Sequence, residues 1–179
     1  QIVKPLGVSI YGGGVTSIIS SSYAGAYTGS INCASSEGNP VDDNGTISNI
    51  KLTGNSYAGR IGIYIAYRNN ITIHDCTIED FTYGAIKVKS NNADAFTAPT
   101  VNYATGISIH DNTINDCGYN TSSYASVWFD GTSGISIYNN TFHDEGRAEG
   151  SNSWATLKCN FNKLVSIYDN IFYRDDHAD

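Results

Sequence analysis

Along this chain apolar and polar residues alternate in short runs that recur in the same internal order. Five segments superimpose without gaps: Ile50-Lys51-Leu52-Thr53-Gly54-Asn55, Ile71-Thr72-Ile73-His74-Asp75-Cys76, Ile107-Ser108-Ile109-His110-Asp111-Asn112, Ile135-Ser136-Ile137-Tyr138-Asn139-Asn140 and Val165-Ser166-Ile167-Tyr168-Asp169-Asn170. Val8-Ser9-Ile10-Tyr11-Gly12-Gly13 fits as a sixth, with Gly at the turn. The period of two is that of a strand with one buried face. A short turn follows, then a second strand whose buried residue is Ile78, Ile114, Phe142 or Phe172. A third strand precedes each segment: Gly62-Ile63-Tyr64-Ile65, Ala85-Ile86-Lys87-Val88, Ser126-Val127-Trp128-Phe129 and Thr156-Leu157-Lys158-Cys159, with Ser30-Ile31-Asn32-Cys33 able to begin the series.

The spacing ties these strands into one unit. Ile65, Phe129 and Cys159 each stand six residues ahead of the next segment, and Val88 stands 19 ahead. A loop inserted over Asn91 to Tyr103, which contains Pro99 and has no periodicity, accounts for that excess. Repeats of this length are too short for separate hairpin domains and suit one coil of stacked parallel strands. The alignment also puts Asn55, Cys76, Asn112, Asn140 and Asn170 at one turn position. Asn accepts left-handed backbone geometry, and its amide can bond main-chain groups of neighbouring coils.

With that repeat and its turn asparagines, the chain resembles the pectate lyase-like superfamily over roughly Val8 to Asp175. The resemblance implies an all-β, right-handed, single-stranded parallel β-helix, a solenoid of about five to six coils with an asparagine ladder, occupying residues 1–179 as one domain. It implies a polysaccharide partner and an extracellular, cell-surface or virion-associated setting. It leaves the activity open, because that superfamily holds lyases, hydrolases, epimerases, phage tailspikes and non-enzymatic surface proteins. An N-terminal amphipathic helix usually caps such folds, and none is legible here. The run from Gly7 to Gly14 reads as an early coil following a strand that the chain lacks. The expectation is therefore an excerpt of a longer solenoid, or one chain of a homo-oligomer such as a trimer.

Composition narrows the partners. Eighteen Gly, 13 Tyr and only 15% charged residues describe a surface of neutral hydrogen-bonding groups, which suits turns and sugars. A net charge of −7 with ten Lys and Arg argues against nucleic acid, whose phosphates need a dense basic patch, and against an anionic membrane surface. No apolar run has the length of a spanning helix. Four cysteines without CxxC spacing disfavour structural zinc; Cys33 and Cys159 are placed in the core, and a Cys76–Cys117 disulfide is left open.

In proteins of the resembled fold the groove lies on the third strand. Its outward residues here are Asn32, Tyr64, Lys87, Trp128 and Lys158, and one step on Ala34, Ala66, Lys89, Asp130 and Asn160. An exposed Trp128 beside Tyr64 would offer a flat apolar face to a sugar, with Lys89, Lys158 and Asn160 as polar contacts. Arg68, Lys87, Lys89, Lys158 and Lys163, half of the basic residues, fall on this strand or the turn after it, favouring an acidic sugar. The best function is binding and cleavage of a uronate-containing polysaccharide by β-elimination. Lys87 would be the base, its pKa lowered by Lys89, and Asp130 would help hold a calcium ion, the one cofactor the chemistry calls on. Arg147 joins the catalytic set from the loop of Asp144, Glu145 and Glu149, which should overhang the groove.

Two other functions stand beside it: a glycoside hydrolase, needing two carboxylates, and a non-catalytic glycan-binding or structural segment of a tailspike, adhesin or stalk. Asp80, Asp116 and Asp144 recur in register and read as turn formers. His74 and His110, continued by Tyr138 and Tyr168, read as a stacked surface row rather than a metal site.

Overall fold

A computed structural model describes residues 1–14, 16–23, 29–35, 40–56, 58–90, 103–118, 125–143 and 155–173. These form an all-β structure whose strands lie in three sheets, every recorded pairing parallel. The first sheet orders β1 (Ile2–Val3), β4 (Ile31–Ala34), β7 (Ile61–Ala66), β10 (Gly84–Lys89), β14 (Ala125–Asp130) and β17 (Ala155–Asn160). The second holds β2 (Ile10–Tyr11), β5 (Val41–Ser48), β8 (Arg68–His74), β12 (Ser108–His110) and β15 (Thr132–Tyr138), with β11 (Ala104–Thr105) and β18 (Lys163–Tyr168) also paired to β15. The third orders β3 (Ile18–Ser20), β6 (Lys51–Thr53), β9 (Thr77–Glu79), β13 (Thr113–Asn115), β16 (Thr141–His143) and β19 (Ile171–Tyr173). The chain visits the three sheets in rotation, an arrangement compatible with a parallel β-helix.

Alternating Ile and Val make this possible, because each β-branched side chain packs on the one in register above it. Cys33, Ile65, Val88 and Phe129 form one fully buried column. Ile47, Ile73, Ile109 and Ile137 form a second, and Leu52, Ile78, Ile114 and Phe142 a third. Each such side chain contributes roughly 1.5–3 kcal/mol by leaving water.

The structure corrects four expectations. Ile50 to Asn55 is not the counterpart of Ile71 to Cys76: Gly45 pairs with Ile71 and Ile47 with Ile73, so Lys51–Thr53 belongs to the third sheet and Asn55 is exposed outside the turn column. A register bulge between Asp42 and Gly45 disguised that repeat. The strand expected to be missing before the Gly7 to Gly14 run is present as β1, paired with Ile31 and Asn32. Cys159 is exposed, and Phe172 is 49% exposed, because β17 and β19 are each paired on one side only among the described residues. Cys76 and Cys117 are buried free thiols, so the disulfide left open is not formed.

The turn between the second and third sheets is built from side-chain amides. Asn112 Nδ2 donates to the carbonyls of Ile73 (3.0 Å) and His110 (2.8 Å), and Asn140 Nδ2 to those of Ile109 and Tyr138 (both 3.0 Å). In the other direction Asn112 Oδ1 accepts from Cys76 N, Asn140 Oδ1 from Asn112 N, and Asn170 Oδ1 from Asn140 N. The residues just before, Asp75, Asp111, Asn139 and Asp169, all have φ between 52° and 55°, which explains their Asx identity. At the corresponding place near the N-terminus stands Gly12, where a Cβ would collide with the carbonyl oxygen of Asn49.

Cys76 occupies the column with a weak thiol donor, whose Sγ lies 3.2 Å from His74 O and 3.7 Å from Ile47 O. Replacing Cys76 by Asn should strengthen both bonds and supply an acceptor to the preceding repeat. The expected gain is on the order of 1 kcal/mol in urea unfolding. A lower midpoint would mean that the site is too tight for an amide.

Candidate functional site

The outer face of the first sheet carries the residues singled out in the sequence, in the register expected. Asn32, Tyr64, Lys87, Trp128 and Lys158 are successive partners across five strands, and Ala34, Ala66, Lys89, Asp130 and Asn160 form the next row. Alternation along each strand does this: Ile65, Val88 and Phe129 face the core, so their neighbours face away.

The row differs from the expected open platform in being buried. Tyr64 and Trp128 are each 7% exposed and Lys87 8%. Trp128 is enclosed by its partners: the Lys87 ammonium sits 3.8 Å from its ring centroid and that of Lys158 4.5 Å, while its Nε1–H donates to Asp130 Oδ1 at 2.8 Å. Lysines stack on the indole because its π face attracts cations. A ring so occupied is not a bare face for a sugar, so the expectation of an exposed Trp128 is overturned. Tyr64 belongs to a small outer cluster with Ile61 and Ala66, packed by Tyr67 and Tyr83. Burial, followed by the nearby Tyr67 and Asp130, pushes its phenol up to about 12, which keeps it a protonated donor.

Lys87 has the electrostatics of a base. Burial is the main cause that brings its pKa down from 10.5 to about 8; Lys89 and Lys158 add to the fall, and Asp130 opposes it. Repulsion from Lys89 was the expected cause, and it proves secondary to burial. Asp130, itself buried, accepts from both Trp128 Nε1 and Asn160 Nδ2, each at 2.8 Å, through the single oxygen Oδ1. Two N–H groups aimed at that oxygen leave only Oδ2 for a cation. Among the described residues, no three His, Cys, Asp or Glu gather into a group able to hold a metal. Asp130 is thus held in place through Oδ1.

The basic concentration read from the sequence divides. Lys87, Lys89 and Lys158 share the first sheet, but Lys163 begins β18 in the second, and Arg68 turns into a buried ion cluster. In that cluster Asp43 bridges Lys4 and Arg68, with Arg68 Nη1 2.5 Å from Asp43 Oδ2. Gly45 makes room for it, since a Cβ there would strike both Asp43 Oδ1 and Lys4 Nζ. No periodic signal pointed to Lys4 or Asp43.

Arg147, together with Asp144, Glu145 and Glu149, lies outside the described residues. Asp80 and Asp116 are turn residues with φ of 62° and 47°. His74, His110, Tyr138 and Tyr168 form the stacked row expected, at 5.0, 4.7 and 5.1 Å between centroids, each histidine Nδ1 meeting the carboxylate of the Asp that follows it. No family model matches the chain, and neither the curated proteins nor the solved structures hold a significant match.

Proposed function

We propose that this chain is a right-handed parallel β-helix with an asparagine ladder, of the pectate lyase-like kind, and that it binds and cleaves an acidic polysaccharide by β-elimination. The observation that carries this reading is Lys87: a buried amine on the outer face of the first sheet, stacked on the Trp128 ring that Lys158 also meets, with its pKa lowered by burial to about 8. Neutral Lys87 Nζ removes the proton from the carbon bearing the uronate carboxylate. The C–H electron pair becomes the new double bond, the glycosidic C–O bond breaks, and the departing oxygen takes a proton from solvent. The lysine cations neutralise the carboxylate as charge moves onto it. Trp128 and Asp130 act as positioning residues that hold the lysines, and Asn160 fixes Asp130.

The test is incubation with uronate polymers, following the ultraviolet absorbance of unsaturated products. Activity should rise with pH through about 8, as Lys87 loses its proton. Lys87→Ala should lower the rate by roughly 10²–10⁴-fold, the usual worth of a positioned base. Full activity in that variant would remove Lys87 from the mechanism. A second reading, a non-catalytic glycan-binding or structural segment, draws support from the way Trp128 and Asp130 are already engaged by protein groups. Absence of product from every uronate polymer would favour it.

A further inference from the structure

We propose that a cleft at the start of the second sheet is a separate binding site for one acidic sugar residue, a hexuronate. The cleft has a volume of about 500 Å³ and is lined by Pro40, Asn69, Tyr103, Thr105, Ser133 and Lys163. Small-ligand sites occupy that size range.

The cleft follows from the repeat. Thr105 pairs with Ser133 and Ser133 with Lys163, while Asp42 pairs with Asn69. Thr105 N donates to Asn69 Oδ1 at 2.9 Å, which joins the two halves into one polar row. After each member comes a left-handed residue, Asn70, Gly106, Gly134 or Leu164, with φ from 51° to 67°. Such a residue interrupts the alternation of faces, so two consecutive side chains stay toward solvent before Ile71, Ile107, Ile135 or Val165 turns inward. In two successive repeats that second position is glycine. The backbone beside Ser133 is therefore bare, since a Cβ on Gly134 would meet nothing nearer than Gly106 N at 4.0 Å, while beside Thr105 the Asn70 side-chain oxygen occupies the place a Cβ on Gly106 would take.

The lining selects the ligand. Asn69, Thr105 and Ser133 offer an amide and two hydroxyls, each able to donate and accept, the complement of vicinal sugar hydroxyls. Asn69 Nδ2 is steadied by Asp42 Oδ1 at 3.1 Å. Lys163 Nζ stands 4.3 Å from the Tyr103 ring centroid, and no described carboxylate lies within ion-pair distance of it. The row therefore ends in a cation held by an aromatic ring and open to an anionic group. A bare anion would leave the hydroxyls unused, and a neutral sugar would leave the lysine unused; a uronate uses both.

The site does not depend on Lys87, and one experiment separates the two. Isotope-labelled protein is titrated with methyl galacturonate glycoside, methyl galactoside and acetate while amide resonances are followed. Galacturonate should give saturable shifts at the Asn69 side-chain amide and the Gly106 and Gly134 backbone amides. The Trp128 indole N–H, which reports on the first sheet, should follow a different midpoint or stay still. Galactoside, acetate and the variant Lys163→Gln should each show affinity weaker by at least about tenfold. Equal binding of acetate would make this an anion site and overturn the sugar assignment. Unchanged galacturonate affinity in Lys163→Gln, or shifts confined to Trp128, would overturn the site.

Discussion

Replacing Asp43 by Ala is expected to cost about 3–5 kcal/mol in urea unfolding, the largest loss of any substitution considered for this fold. Among the described residues Asp43 is the one carboxylate paired with the fully buried Lys4 and the nearly buried Arg68. Removing it leaves two like charges in a medium that solvates neither. The partners cannot relax far: Arg68 Nη2 is held by Ala34 O at 2.9 Å, and Lys4 belongs to the segment that continues β1 and bonds Asn32 O through its own N–H. Exchanging all three for apolar residues of similar volume should recover most of the loss, since the cluster offsets its own desolvation rather than adding a large surplus. A loss below about 1 kcal/mol for Asp43→Ala would mean that water reaches the cations when the chain breathes.

Asn140→Ala should be the next most damaging change, at about 3 kcal/mol. Its amide donates to Ile109 O and Tyr138 O, and its Oδ1 accepts from both Asn112 N and Asn112 Nδ2. Alanine breaks all of these in a turn that is 1% exposed at this residue; Asn112 Nδ2 keeps Ile73 O and His110 O, and Tyr138 O keeps Asp111 N, while Asn112 N loses its side-chain acceptor. A buried orphan costs on the order of 1–3 kcal/mol, with partial relaxation keeping the sum well under the count of lost bonds. Because the midpoint and not the denaturant slope should change, equal midpoints for wild type and variant would remove the amide column from the account of stability. Thr113→Ala, on the exposed side of β13, is the control and should leave the midpoint nearly unchanged.

Strand order and facing were legible because they depend on a period of two that any short run of Ile and Val displays. The row Asn32, Tyr64, Lys87, Trp128, Lys158 came out in register for that reason. The first repeat was misplaced because a bulge at Asp42 to Gly45 breaks the count while Lys51-Leu52-Thr53 imitates the neighbouring segment. Burial was harder to read. Facing away from the core does not mean facing water, and Trp128 is covered by two lysines whose positions one strand away on either side were known but whose side-chain paths were not. Lys4 and Asp43 escaped notice because an ion pair between positions 39 apart leaves no periodic trace. The cleft of Tyr103 and Lys163 was hidden in the same way, because Tyr103 stands beside a strand beginning 60 residues later.

The file of rings from His74 to Tyr168 has an optical consequence. Tyr138 and Tyr168 lie 5.1 Å apart and within 3° of parallel, and His110 continues the stack at 9°. Phenol transitions held face to face in a chiral frame couple, and the sign and size of that coupling depend on the register between neighbouring strands. The second sheet therefore carries its own chromophore, one whose near-ultraviolet dichroism reads the alignment of β15 with β18 without any added label.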